Sequence, residues 1–308
     1  MPAIELLEDL FFIERGYLNA NHFVYRAQQP ILIDTGYLAD FSTTKALITR
    51  LGVDLSGVQL IVNTHSHCDH IGGNRIIQEL SGCDIAIHKV GKYFSDNRDD
   101  WSTWWRYFDQ EADFFTCTIA LDDGDSLAIG PYDFQVIYTP GHAADGLALY
   151  NPRHKILISS DALWGKDSPI FVLRVEGSRA LFEALASLDR LDGLAVDIAY
   201  PGHGPPFTDI KAAIGRARQR LAGYIANRKK LGVDIFKRMV IYDLLMYQGV
   251  EESAFFERLV QTAWFKENVD FHFNHHNYEA IYNQTMTSLY QRGVIEEKDG
   301  KLFTTVKP

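Results

Sequence analysis

The fold of this chain is decided by residues 61–70, whose sequence is IVNTHSHCDH. The segment places three histidines and one aspartate directly after an apolar run that is typical of a β-strand. In extended backbone, His65, His67 and Asp69 lie on one face because side chains alternate with a period of two. Imidazole and carboxylate groups bind zinc, iron or manganese, so the segment predicts a metal site at the end of a strand. The alternative is a polar loop in which these histidines only form hydrogen bonds.

Three further segments deliver ligand-type side chains from strand ends. Residues 136–142, VIYTPGH, and residues 198–204, IAYPGHG, each place a histidine in a glycine-containing turn after an apolar strand. Residues 156–161, ILISSD, place Asp161 at the end of another strand. Loops on a rigid sheet can aim such side chains at one point, so we expect His142, Asp161 and His203 to join the first cluster.

The order of these motifs resembles that of the metallo-β-lactamase superfamily. The matching elements are Asp34-Thr35-Gly36, the H-x-H-x-D-H run at 65–70, Thr139-Pro140-Gly141-His142, Asp161 and Pro201-Gly202-His203-Gly204. The resemblance implies an α/β fold, a four-layered αββα sandwich, with a one- or two-metal site. Within the superfamily, the chain is most similar to the branch of beta-lactamase-like protein 2 and hydroxyacylglutathione-hydrolase-like enzymes.

The resemblance also implies the role of each ligand. One metal ion would be held by His65, His67 and His142 and the other by Asp69, His70 and His203, with Asp161 bridging the two. Asp34 would be a buried support behind the ligands. Two divalent ions are expected, zinc first, with iron or manganese as alternatives. The chain departs from the pattern at Ser160, where relatives commonly have glycine, and at Gly146, where glyoxalase II relatives have histidine.

The chemistry expected of such a site is hydrolysis. Two divalent ions about 3.5–4 Å apart lower the pKa of a bridging water towards about 7, and the resulting hydroxide attacks an electrophilic carbonyl or phosphorus. Asp69 is expected to orient that water and to carry a proton, in addition to binding metal. The favoured substrate is a small thioester, ester or lactone. The alternative is an endoribonuclease or phosphodiesterase that acts on single-stranded nucleic acid.

The chain divides into two chemically different parts. Residues 1–208 form the expected catalytic domain, and residues 209–308 form an expected helical, winged-helix-like domain. The acidic excess behind the net charge of −10 lies in the first part. The second part is predicted to contain helices at 210–231, 236–247, 252–264 and 276–292, followed by a hairpin around Asp299-Gly300. The last helix carries one basic residue, Arg292, which disfavours nucleic-acid binding, so we expect a packing role or a homodimer contact.

Residues 92–116 form an aromatic-rich insertion between the first ligand segment and His142. Its candidate substrate-pocket residues are Trp101, Trp104, Trp105, Tyr107 and Phe108. The alternative is a helical hairpin that buries these rings in a core of its own. The five rings cannot all share one helical face, so we expect some of them to cover the metal cleft and to favour an apolar or planar substrate.

Composition limits the other functional classes. Three cysteines at unpatterned spacing, Cys68, Cys83 and Cys117, cannot build a disulfide framework. The apolar stretches are too short for a membrane span, and acidic residues precede the first positive charge, unlike in a secretory signal. These features predict a cytoplasmic protein with no membrane partner. The expected partner of the metal site is a small-molecule acyl substrate. The run 271–276, FHFNHH, lacks a carboxylate at ligand spacing and is expected to begin a helix rather than to bind metal.

Overall fold

Two β-sheets with helices on their outer faces position the candidate ligands. The computed structural model describes residues 3–247, 249–273 and 276–307. The first sheet contains, in spatial order, β1 (Ala3–Leu7), β2 (Leu10–Ile13), β3 (His22–Tyr25), β4 (Ile31–Ile33), β5 (Leu60–Val62), β6 (Asp84–His88) and β7 (Ile119–Leu121). The second sheet contains β8 (Ser126–Ile129), β9 (Tyr132–Tyr138), β10 (Leu147–Asn151), β11 (Ile156–Ser160) and β12 (Ile198–Pro201), in the order β12-β11-β10-β9-β8.

Strand direction brings the ligand loops to one edge of each sheet. Strands β4, β5 and β6 are parallel, so the segments that follow β4 and β5 leave the first sheet on the same side. In the second sheet β11 and β12 are parallel, and β9 runs in the same direction because β10 is antiparallel to both β9 and β11. The residues after β9, β11 and β12 therefore also leave the sheet at a shared edge.

The two sheets bury an apolar core between their facing sides. Phe12 and Val62 from the first sheet share this core with Val136 from the second. Alternate residues such as Ile61 and Leu157 belong instead to the core that packs against the helices. The expected α/β sandwich, in which two facing sheets lie between helices, is therefore present.

The helices of the first 208 residues cover the sheets and connect their strands. They are α1 (Phe41–Arg50), α2 (Cys68–Ile71), α3 (Asn74–Ser81), α4 (Lys89–Asp96), α5 (Leu173–Glu176) and α6 (Ala180–Asp192), with short 3-10 turns at Leu38–Asp40 and Leu55–Gly57. The three cysteines are free and buried, in agreement with their spacing.

The aromatic insertion is not a helical hairpin. Beyond α4, residues 97–118 are turns and extended segments without a helix. The side chain of Asp99 accepts hydrogen bonds from the backbone N–H groups of Trp101 and Ser102, which competes with helix formation. Trp104 and Asp109 have positive φ values, 66° and 52°, and these interrupt any helical path.

The C-terminal region is helical and ends in a small sheet. Its elements are α7 (Ile210–Ala226), α8 (Arg228–Tyr247), β13 (Val250–Glu251), α9 (Glu252–Gln261), α10 (Ala263–Phe273), α11 (Tyr278–Gln291), β14 (Ile295–Lys298) and β15 (Lys301–Thr304). The sheet order is β13-β15-β14. The predicted hairpin is present, and both turn residues, Asp299 and Gly300, have the positive φ that a tight hairpin turn requires.

The first three predicted helices of this region differ from the observed ones in their boundaries. The first long helix ends at Ala226 rather than at 231, and α8 continues through Gly232 without the predicted break. A Cβ at Gly232 would lie 2.6 Å from the Cβ of His272, so close packing of α10 on α8 requires the glycine there. The predicted helix 252–264 is two helices that meet at Thr262. Of the run 271–276, α10 ends at Phe273, and positions 274 and 275 lie outside the described residues.

No described helix is both long enough and apolar enough to cross a bilayer.

Candidate metal centre

The loops at the strand ends bring all seven expected ligands together. Three groups have ligand atoms within 4.8 Å of one another: His65, His67 and His142; His65, His70 and Asp161; and Asp69, His70 and His203. The groups overlap at His65 and His70, and Asp161 lies between them. Its Oδ2 is 3.2 Å from His142 Nε2 and 3.9 Å from His203 Nε2.

The local backbone differs from the fully extended run that the sequence predicts. His67 is extended and precedes α2, so Asp69 and His70 lie within a helical turn. Alternation therefore accounts for His65 and His67, whereas the turn of α2 presents the consecutive residues Asp69 and His70 to the site. The position before His203 requires glycine, because a Cβ at Gly202 would collide with the side chain of Asp161.

The donor set fits divalent metal ions. The Nε2 atoms of His65 and His70 are buried and have no hydrogen-bond partner among the residues that the structure describes, which is costly unless a ligand completes them. Burial and the neighbouring imidazoles lower the pKa of His65 and of His67 well below the ordinary value. Neutral imidazole is the form that binds metal.

Asp34 supports the centre from behind. Its carboxylate accepts hydrogen bonds from Thr64 N at 2.9 Å, Thr64 Oγ1 at 2.7 Å and His70 Nδ1 at 2.9 Å. Because the carboxylate accepts from Nδ1, the Nε2 of His70 is the nitrogen left for metal. Ser160 adds to this network, since its hydroxyl donates to Thr64 Oγ1 at 2.7 Å. The serine adopts a φ of 46°, so the departure from glycine adds a hydrogen bond at a position where a side chain is strained.

A second buried carboxylate, Glu176, holds His67. Its Oε1 lies 3.2 Å from His67 Nε2 and 2.7 Å from Trp104 Nε1, and its Oε2 accepts from Ala144 N at 2.8 Å. Trp104 also stacks on His67, with ring centroids 3.7 Å apart. The Nδ1 of His67 is therefore directed at the ligand cluster, 3.0 Å from His142 Nε2. Sequence reasoning missed Glu176, whose only local signal is an acidic residue that ends a mostly apolar run.

Two more of the ligands, His142 and Asp161, are each held by one hydrogen bond from outside the cluster. His142 Nδ1 donates to the carbonyl oxygen of Ile170 at 2.6 Å, because a carbonyl can only accept. The indole N–H of Trp164 donates to Asp161 Oδ1 at 3.0 Å. Each contact leaves the opposite atom of the ligand directed at the cluster.

A narrow cleft with a volume of about 60 Å³ opens beside the ligands. Beyond ligand side chains, the residues that line it are Tyr17, Trp104, Phe108, Gln110, Trp164, Ile170, Arg238, Met239 and Tyr242. Three of them come from α8 in the C-terminal region. Sequence reasoning missed these three because their spacing is that of any buried helix face.

Of the five aromatic residues predicted to shape the pocket, Trp104 and Phe108 line the cleft. The others face different neighbours. Trp101 packs against the ring of Tyr107, Trp105 packs against Phe114, and the Tyr107 hydroxyl accepts from Asn268. Their prediction as pocket residues is therefore corrected, because the turns of the insertion direct these rings into local packing and towards α10.

The fold and the His/Asp cluster define the class of metal-dependent hydrolases built on an αββα sandwich. Residues 17–203 match the model of the Metallo-beta-lactamase superfamily, and the chain belongs to this family. The family assignment made from the motifs is thus confirmed, as is the enzyme class at the level of the superfamily.

Individual relatives are similar over parts of the chain. The beta-lactamase-like protein 2 homolog of Caenorhabditis elegans is 29% identical over 229 residues, which cover 74% of this chain and 67% of that protein. The hydroxyacylglutathione hydrolase of Bdellovibrio bacteriovorus is 30% identical over 132 residues, 43% of this chain and 41% of that enzyme. A metallo-beta-lactamase family protein from Thermus thermophilus has the same fold, with a TM-score of 0.61 at 22% identity, over 97% of this chain and 99% of that one.

Proposed function

We propose that this chain is a two-metal hydrolase of small thioesters, esters or lactones. The observation that carries the proposal is the overlap of three ligand groups at His65 and His70, with Asp161 between the outer two groups. His65, His67 and His142 would hold one ion and Asp69, His70 and His203 the other, with Asp161 shared. Histidine and carboxylate ligands suit zinc, with iron and manganese as alternatives. Such ions, when bound, supply Lewis acidity and a water of lowered pKa.

Asp69 is the residue that we propose moves the proton. Burial raises the pKa of its carboxyl group, but His70 and His203 outweigh burial, and the net pKa is lowered. The ionised carboxylate lies 3.2 Å from His203 Nε2 and borders the cleft, so it can orient a water molecule and accept its proton. Trp104 and Phe108 line the same cleft on the side of the insertion.

Charge pairing in the C-terminal region argues against the ribonuclease alternative. On α7, Arg216 pairs with Asp209, Arg218 pairs with Asp189 and Asp192, and Arg220 pairs with Asp167. A phosphate track needs basic side chains whose charge is not already compensated. We propose that α8 to β15 form a winged-helix-like module that packs on the catalytic part and supports a homodimer. A cytoplasmic location stays a prediction.

The test combines metal analysis with turnover. Metal-supplemented protein is expected to contain two divalent ions per chain and to hydrolyse members of a thioester, ester and lactone panel. Asp69→Ala should lose turnover chiefly in kcat, whereas His154→Ala, which alters an exposed histidine outside the cluster, should keep metal and activity. Less than one ion per chain, or near-normal turnover of Asp69→Ala with its metal intact, would contradict the proposal.

Nucleic-acid binding is measured on the full chain. Labelled single-stranded RNA should bind no more tightly than the non-specific range of about 10⁻⁴ to 10⁻⁶ M at physiological salt. Submicromolar binding together with cleavage of the RNA would promote the ribonuclease alternative.

A further inference from the structure

The cleft beside the ligands has an apolar wall and one permanent cation. Among the described residues that line it, the rings of Tyr17, Trp104, Phe108, Trp164 and Tyr242 and the side chains of Ile170 and Met239 supply most of the surface. Gln110 and Arg238 are its polar members apart from the candidate ligands. Away from the proposed metal position, the cleft can therefore accept an anionic group only if the positive charge of Arg238 is not already compensated.

Arg238 is compensated twice. Its Nε lies 3.0 Å from Asp234 Oδ2, and its Nη2 lies 2.7 Å from Asp167 Oδ1. The guanidinium is almost fully buried, with a residue exposure of 6%. Asp167 also pairs with Arg220 at 3.0 Å. Two guanidinium and two carboxylate groups thus balance, and Arg238 presents no uncompensated positive charge to the cleft.

The wall that carries Arg238 is held rigidly. Met239 and Tyr242 lie on the same stretch of α8 and line the cleft beside it. The Tyr242 hydroxyl donates to the carbonyl oxygen of Leu18 at 2.7 Å, which fixes its ring against the N-terminal loop. An anionic substrate group could reach Arg238 only by displacing an aspartate that already has good geometry.

We propose that the cleft selects an uncharged, apolar or aromatic acyl group and rejects acyl groups that carry a carboxylate. The proposal rests on the hydrolase function proposed above and names its substrate class. A carboxylate buried among these rings loses its hydration and gains no unpaired cation, whereas an apolar chain gains contact with the aromatic wall. The selectivity is thus set by Arg238 of α8 and its two aspartate partners.

The experiment compares two thioesters with one leaving group, hexanoyl- and adipoyl-N-acetylcysteamine. They differ at the far end of the acyl chain, where adipoyl carries a carboxylate. The metal-loaded wild-type chain should hydrolyse the hexanoyl substrate with a kcat/KM at least about tenfold higher. An equal or higher kcat/KM for the adipoyl substrate would overturn the inference while leaving the hydrolase proposal intact. Failure to cleave either substrate or any member of the ester and lactone panel would overturn both.

A charge-release variant gives the sharper test. Asp167→Asn removes one counter-charge of Arg238 at a half-exposed position, so the fold should tolerate it. The hexanoyl-to-adipoyl ratio should fall several-fold, because Arg238 and Arg220 both lose a carboxylate partner and the group then carries a net positive charge. Asp192→Asn is the matched control, since Asp192 pairs with Lys211 and Arg218 instead. An unchanged ratio in Asp167→Asn with normal metal content, or an equal fall in Asp192→Asn, would refute the role of the Arg238 pairs.

Discussion

Replacing Glu176 with Gln isolates the contribution of one buried carboxylate to metal binding. The carboxylate accepts N–H groups from His67, Trp104 and Ala144, whereas an amide offers one oxygen and one NH₂ group. If the amide oxygen takes the place of Oε1, the Ala144 N–H faces another donor. If it takes the place of Oε2, both ring N–H groups lose their acceptor. Each unsatisfied buried N–H costs about 1–3 kcal/mol.

The expected result is weaker binding at one of the two metal positions. Loss of a group that orients a metal-bound histidine typically lowers metal affinity by about 10- to 100-fold. His67 belongs to the group with His65 and His142, so the other group should keep its affinity. Chelator competition resolves the two affinities, and circular dichroism follows the fold. The position that weakens should be the one that His142→Ala abolishes.

Glu79→Gln provides the control for the change of side chain alone. Glu79 lies on α3 with an exposed carboxylate that pairs with Arg75, and its replacement should leave both metal affinities unchanged. Two ions bound with wild-type affinity in a folded Glu176→Gln chain would refute the argument that this carboxylate orients His67. Equal weakening at both positions would also refute it, because a general loss of structure would then explain the result.

Three further outcomes are expected. Trp104→Ala should raise KM for the hydrolysed acyl substrate several-fold, whereas Trp105→Ala, whose ring packs on Phe114, should leave KM unchanged; the opposite order would contradict the lining of the cleft. Chelation of the metal should abolish hydrolysis and lower Tm, and zinc should restore both, as thermal melts and turnover will show. Burial raises the pKa of Asp243 to about 7, so this carboxyl group ionises at a lower pH in the unfolded chain than in the folded one. The free energy of unfolding should therefore decrease as the pH rises from about 4 to about 7. Asp243→Asn should remove this decrease and be more stable than wild type at pH 8 by up to about 4 kcal/mol. If urea unfolding gives the same difference between variant and wild type at pH 5 and at pH 8, the prediction is wrong.

The local part of the site was predictable because strand geometry and motif spacing determine it. His65 and His67 alternate across extended backbone, and the histidines of the two glycine-containing turns follow strands that end at shared edges. The bridging position of Asp161 came from the superfamily resemblance rather than from spacing. The sequence did not predict that Asp69 and His70 lie within a helical turn, because the same spacing of residues also fits an extended loop.

The remaining parts depend on contacts between distant segments. Glu176 lies 109 residues after His67 and meets it through a four-residue helix that has no motif of its own. The path of α8 through Gly232 follows from the approach of α10, although an isolated glycine disfavours a helix. The insertion avoids helical structure because Asp99 binds the next backbone N–H groups. Periodicity within one segment contains none of this information.

The burial of α8 on all sides has a consequence for how this enzyme can diversify. Twelve of its twenty residues are buried, and the same helix supplies Met239 and Tyr242 to the cleft. A substitution that reshapes the cleft at either residue also disturbs the interior that holds the C-terminal region. Ile170 is under no such double constraint, since it serves His142 through its backbone carbonyl while its side chain borders the cleft. Laboratory evolution towards new acyl groups should therefore accumulate its first adaptive changes at position 170, and changes on α8 should follow only after stabilising substitutions elsewhere.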